Sequence, residues 1–235
     1  LTDPGRRAEL AASLEQVRER IARACVAAGR PPGAVTLTAV TKTYPASDVL
    51  LLAGLGVTDM AENRDQEAAA KAAEVHAAGV HPRWHFVGQL QRNKVRSVIR
   101  YADVVESVDS LRLAGALAKA AVGREVPLEV LVQVSLDADP ARGGVTEDDL
   151  WRVSDAVASS EGLRLGGVMA VAPLGEDPGA AFARLAVIAG RMASEHPGAT
   201  TVSAGMSGDL EAAVQHGATH VRIGTSLLGM RNSLR

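Results

Sequence analysis

From residue 35 to near the end of the chain, short runs of strand-forming residues alternate with longer alanine-rich amphipathic runs. Strand-type runs fall at 35–41, 56–62, 84–89, 103–108, 128–135, 164–170, 200–205 and 219–224. Helical runs fall between them at 64–79, 110–122, 146–160, 178–195 and 207–216, the first carrying Glu67 and Lys71 as an i,i+4 pair. Parallel strands cannot be joined by a tight turn, so this alternation calls for helical crossovers and a parallel sheet. Eight such units in 235 residues predict an α/β fold that closes as a single (β/α)8 TIM barrel. A doubly wound open sheet is the alternative, because one misread run would break the count. Ahead of the first strand, residues 6–29 place Leu10, Leu14, Val17, Ile21 and Cys25 on one helical stripe, which Gly29, Pro31 and Pro32 stop. No linker or shift in composition divides the chain, so one domain over 1–235 with an extra N-terminal helix is expected.

Composition narrows the function classes. Apolar residues make up 47% of the chain but aromatics only 3%, so Ala, Val and Leu must fill the core. Lys+Arg 25 against Asp+Glu 27 leaves a formal charge of −2, which argues against a non-specific nucleic-acid or anionic-membrane binder. A single cysteine, Cys25, rules out an intrachain disulfide and a Cys-rich zinc site, and packing is its expected role. His76, His81, His196, His216 and His220 lack metal-ligand spacing. The first ten residues lack a signal-peptide core and no apolar run reaches membrane-spanning length, so a cytoplasmic location is expected.

In a barrel of this kind the chemistry lies at the C-terminal ends of the strands. Lys42 ends the first predicted strand, Glu62 and Asn63 the second, Gln89 the third, Ser135 the fifth and Met169 the sixth. Residues 205–207 end the seventh, and Gly224 and Thr225 the eighth. A lone lysine at a strand end is ordinarily a solvated charge, but here its neighbours give it a context. In THVRIG, His220, Arg222 and Gly224 share the face turned into the barrel, and a buried guanidinium needs an acceptor or an anion. A structural ion pair is the alternative for Arg222. GTSLLG, 224–229, and GMSGDLEAAV, 205–214, each combine glycine and hydroxyls with a helix start, as in a phosphate cradle, with Ser207 expected at an N-cap. Ordinary helix capping would explain the same residues. Together they predict a mouth with a phosphate site on one side and an amine opposite. Pyridoxal 5′-phosphate (PLP), which joins a phosphate to an aldehyde, fits such a mouth, and so does the substrate of a sugar-phosphate aldolase. His85 reads as a satisfied core histidine, 91–100 as a basic helix face or a partner surface, and 141–144 as a loop near the mouth that could gate it.

Six blocks, AVTKTYP, AENRDQE, WHFVGQLQRNK, GVMAVAP, SAGMSGDLEAAV and VRIGTSLLG, resemble in order the signature blocks of the pyridoxal phosphate homeostasis proteins, the YggS/PROSC family of PLP-binding proteins. The resemblance runs from about residue 35 to 231. It implies a barrel like the N-terminal domain of alanine racemase (PLP fold type III), with PLP held covalently on Lys42 as a Schiff base. It implies Asn63 close to the cofactor, Met169 and Met206 flanking the ring, and Ser207, Gly224 and Thr225 on the phosphate. Arg222 is implied at either the phosphate or the pyridine nitrogen. Arg64, where the family often has Tyr, and Tyr44 are departures that bear on the cavity rim. The implied function is intracellular PLP homeostasis, the buffering or delivery of cofactor to apo PLP-dependent enzymes, without strong catalysis. A weak PLP-dependent amino-acid racemase is the alternative. Racemisation needs a second base facing the lysine, and Tyr44 and Tyr101 are the only tyrosines. Tyr101 precedes the fourth strand, at the other end of the barrel. With the chain ending at Arg235, soon after the eighth strand, no second domain and a monomer are expected.

Overall fold

The computed structural model describes residues 3–137 and 143–229. Its strands are β1 Thr36–Val40, β2 Asp59–Glu62, β3 Arg83–Phe86, β4 Val104–Val108, β5 Leu128–Gln133, β6 Leu163–Met169, β7 Thr201–Ser203 and β8 His220–Ile223. They pair in sequence order, all parallel, and β8 closes on β1. The eight-stranded closed barrel is therefore the fold, and the open-sheet alternative falls. The helices are α1 Pro4–Ala27, α2 Ala46–Gly54, α3 Asp65–Ala77, α4 Val95–Val98, α5 Leu111–Ala121, α6 Glu147–Ala158, α7 Pro178–Glu195, α8 Leu210–Gln215 and α9 Thr225–Leu228. The basic stretch 91–100 is not one helix face. A 3₁₀ turn, Arg92–Lys94, leads into the single turn of α4, whose Val95 and Val98 are buried.

Local chemistry explains several boundaries. The Asp3 carboxylate accepts from the Gly5 and Arg6 amides and Pro4 opens α1. The same arrangement recurs at α7, where Asp177 accepts from Ala180 and Pro178 begins the helix. In β6 the Gly166–Gly167 pair marks a register shift against β5. A Cβ on Gly167, whose φ is 145°, would lie 2.0 Å from the Thr201 carbonyl oxygen, so only glycine lets β6 and β7 approach there.

The main core lies between the strands and the helices, where Trp84, Phe86, Phe182, Leu52, Leu150 and Leu185 are fully buried. α1 buries Leu10, Leu14, Val17, Ile21, Ala24 and Cys25 and packs on α8, α9 and α2. Arg6 ties it down further by donating to the Asp48 carboxylate and the Leu228 carbonyl. Inside the barrel, among the described residues, Val104, Leu131 and Met169 form a small apolar cluster, with Val171 packed against it. Beyond it, most of the described inward-facing side chains, Asp59, His85, Glu106, Ser203 and Arg222 among them, are polar or charged.

Candidate functional site

At the mouth, the chain leaves β1 in a tight turn. Tyr44 N–H donates to the Thr41 carbonyl at 3.1 Å, so Lys42 and Thr43 are the two central residues. Thr43 has φ 69°, the one positive-φ non-glycine among the described residues. A positive φ at the third position alone is the signature of a type II turn, which normally takes glycine there. Lys42 is exposed and continues the inward parity of Thr38 and Val40. Thr41 has the opposite parity, and its hydroxyl donates to Glu62 at 2.6 Å in the layer between barrel and helices.

Glu62 therefore does not line the mouth. It is buried against Lys71 of α3, and burial raises its pKa despite the hydrogen bonds from Lys71 and Thr41. The expected Glu67–Lys71 pair forms at 3.1 Å, with the Lys71 side chain only 4% exposed. Asn63, one residue past β2, is half-buried. Its backbone crosses Gly88 so closely that a Cβ at 88 would lie 2.0 Å from the Asn63 carbonyl oxygen.

Within the barrel, a chain of polar contacts crosses five strands. His85 on β3 bonds Asp59 of β2 at 2.9 Å and Glu106 of β4 at 2.6 Å. Glu106 accepts from the Ser203 hydroxyl of β7 at 2.6 Å, and Ser203 accepts from Arg222 of β8 at 2.7 Å. Arg222 also donates to the Ala170 carbonyl at 2.9 Å and lies 3.8 Å from Glu106. Burial alone would lower the His85 pKa, but its two carboxylate partners outweigh burial and raise it to about 9. Burial would likewise raise Glu106, but the bond to His85 and the Arg222 charge bring it down to about 2. His220 is shifted down, by burial and by the His85 cation. His85 is thus a satisfied core histidine, as read, and Arg222 faces the interior with both an acceptor set and a carboxylate.

Two sequence expectations need correction here. Ser207 does not cap α8: Asp209 holds that position, and its carboxylate accepts the Met206 amide at 2.6 Å. The Ser207 hydroxyl instead accepts from the Ser226 amide of α9 at 3.4 Å, joining the loops after β7 and β8. Nor does the amine stand opposite the 224–225 segment. β1 and β8 are neighbours, with Ala39 beside Ile223, so Lys42 and Gly224–Thr225 top adjacent strands. Met206 is 39% exposed at this rim, whereas Met169, at the end of β6, is buried in the interior cluster. Of the 141–144 loop, residues 141 and 142 lie outside the described residues.

These residues fit a ligand with an anionic tail and an electrophilic carbonyl. The Ser207–Ser226 contact is long enough to yield to a stronger acceptor. Gly224 has inward parity, and although a Cβ there would make only ordinary contact with Val40, 3.4 Å from its carbonyl oxygen, its absence leaves the backbone open to a ligand at that wall. α9 is too short for its dipole to contribute much, which leaves hydroxyls and local amides to do the holding. Sequence reading missed Glu106 and Ser203, although a carboxylate in the middle of the strand run DVVESV was a visible signal that Arg222 had an interior partner.

The family profile for "Alanine racemase, N-terminal domain" matches residues 12–232. Alanine racemase from Corynebacterium glutamicum shares the fold, with a TM-score of 0.64 over 94% of this chain and 62% of that one at 16% identity. The barrel is thus of the alanine racemase N-terminal type. Within that class, the pyridoxal phosphate homeostasis protein of Mycobacterium tuberculosis is 46% identical over 97% of this chain and 95% of its own length. The protein of that name from Escherichia coli is 36% identical over 95% and 97%. The structure of PipY from Synechococcus elongatus with PLP bound superposes with a TM-score of 0.81 at 32% identity, covering 94% of this chain and all of that one. The chain belongs to the family of pyridoxal phosphate homeostasis proteins.

Proposed function

We propose that this protein binds PLP covalently through Lys42, as a Schiff base, and serves intracellular PLP homeostasis by buffering the cofactor and delivering it to apo PLP-dependent enzymes. The observation that carries the reading is the turn that presents an exposed Lys42 beside the Gly224–Thr225 segment, on adjacent strands of one mouth. Bound PLP would supply an aldehyde for the amine and an electron-withdrawing ring. Ser207, Gly224 and Thr225 take the phosphate in this reading, and Asn63 borders the ring with Met206 and Met169. Arg222 meets the ring end, because its bonds to Ser203 and Ala170 keep the guanidinium in the interior rather than at the rim. The acting unit is one barrel domain, a cytoplasmic monomer. Among the described residues no helix is long and apolar enough to cross a membrane.

Carriage rather than turnover is favoured by the state of the tyrosines. Racemisation would need a second base facing Lys42. The Tyr44 hydroxyl donates to the Gly229 carbonyl at 2.6 Å. Tyr101 is buried, and burial together with the Asp65 and Glu62 carboxylates raises its pKa, which keeps it protonated. The relatives' own name points the same way.

Replacing Lys42 with Ala is expected to abolish the yellow absorbance of bound PLP and to leave borohydride nothing to fix to the chain. Reducible, covalently attached PLP on Lys42→Ala protein would overturn the reading. Two companion assays divide carriage from catalysis. Mixing the loaded protein with an apo PLP enzyme should restore that enzyme's activity, while single amino-acid enantiomers should keep their chirality. Fast loss of chirality would instead favour the racemase.

A further inference from the structure

Lys42 is held from behind by a buried cluster that nothing in the cofactor contacts requires. An ammonium has three N–H bonds, and each of those on Lys71 finds an acceptor. One goes to the Thr41 carbonyl at 2.7 Å, one to Glu62, and one to Glu67 at 3.1 Å. Glu62 also accepts the Thr41 hydroxyl, and Glu67 also accepts the Thr43 amide. The residues on both sides of Lys42 are thereby tied to one ion cluster on α3 and β2. Those ties meet at the turn where Thr43, a β-branched residue, holds φ 69°. Such a conformation is costly for a β-branched side chain and persists only where surrounding contacts impose it. Among the described residues the Glu62 Oε2 atom has no hydrogen-bond partner, so the cluster holds Glu62 through its other oxygen alone.

We propose that Lys71, with Glu62 and Glu67, is a positioning device for Lys42. It imposes the strained Thr41–Tyr44 turn and so fixes the direction from which the Lys42 amine meets an aldehyde. The inference rests on the cofactor reading above. It also says which of two neighbouring lysines is the tether: the Lys71 nitrogen is enclosed by three acceptors and buried, so Lys71 is committed to the cluster and Lys42 reacts.

The test uses full-length protein stripped of PLP and remixed with PLP. The rate at which the absorbance of the covalent form appears is followed, borohydride-fixed label is mapped by mass spectrometry, and thermal unfolding is recorded in parallel. Wild type should carry label on Lys42. Lys71→Met and Glu67→Ala should slow the linkage by about tenfold, the scale expected when a reacting group loses its orientation. Glu67→Gln keeps an acceptor for the Thr43 amide and should stay close to wild type. Glycine takes positive φ freely, so adding Thr43→Gly to either slow variant should restore the rate. If Lys71→Met fails to fold, the partly exposed Glu67 carries the test. Wild-type rates in folded Lys71→Met and Glu67→Ala, or no recovery with Thr43→Gly, overturn the positioning role while leaving the cofactor reading intact. Wild-type protein without label on Lys42 overturns both.

Discussion

The lysine at the centre of the proposed site is positioned, in the reading above, by residues distant from it in sequence. Lys42 stands at the end of an apolar run, and that much is readable from the sequence. The turn that presents it is held, in the proposal above, by Lys71, which the sequence shows only as half of an i,i+4 pair with Glu67. Only burial against Glu62 reveals its role. Gly88 is a second case. Nothing local marks it, yet the crossing with Asn63 leaves no room for a methyl group. Gly88→Ala should therefore displace the Asn63 backbone, lowering stability by about 1–3 kcal/mol as in other overpacked sites. Urea titration measures the loss, and PLP titration of the same variant should show weaker binding because Asn63 borders the proposed ring position. An unchanged structure around Asn63 would contradict the steric argument.

At the scale of elements, β2, β3, β4, β7 and β8 are joined through Asp59, His85, Glu106, Ser203 and Arg222, and this network predicts a pH profile. His85 has its folded pKa raised from an ordinary 6.5 to about 9, so its stabilisation is complete below about pH 6.5 and is lost as pH rises through 9. Glu106 is lowered from 4.5 to about 2, so its contribution is present above about pH 4.5 and is lost as pH falls through 2. Both hold between roughly 4.5 and 6.5, where resistance to urea should peak. The alkaline loss from His85 should be on the order of 3 kcal/mol. His85→Gln should flatten that alkaline limb; an unaltered limb would show that another group is responsible. Strand parity put Arg222 inside the barrel from sequence alone, because alternate residues of a strand face opposite sides, and His85 read as a core histidine. Parity could not say that Glu106 would lie between them, since that depends on the order of strands around the ring.

For the whole molecule, the proposed function makes the cofactor part of the fold's stability. A ligand bound only by the folded state adds about 2.7 kcal/mol at a hundredfold excess over its dissociation constant. For a domain of this size that corresponds to a rise in Tm of about 5–10 °C. Stripped protein should show that rise on adding PLP, and Lys42→Ala protein a smaller one, reflecting phosphate and ring contacts without the covalent bond. Equal shifts would mean that Lys42 contributes nothing to retention. The alternation of strand and helix signals was enough to yield eight units, a parallel barrel and the end at which its chemistry lies, because each of those follows from short-range periodicity and from the handed geometry of crossovers. The six motif blocks likewise sufficed for the family. What had to await the folded chain was every relation between distant segments: that Lys42 and Gly224 share one side of the mouth, that Ser207 turns to Ser226 rather than to its own helix, and that Lys71 reaches beneath the turn. The loops that leave the strands decide which groups meet across the mouth, and burial decides which charges must find each other. Neither is a property of any single stretch of sequence.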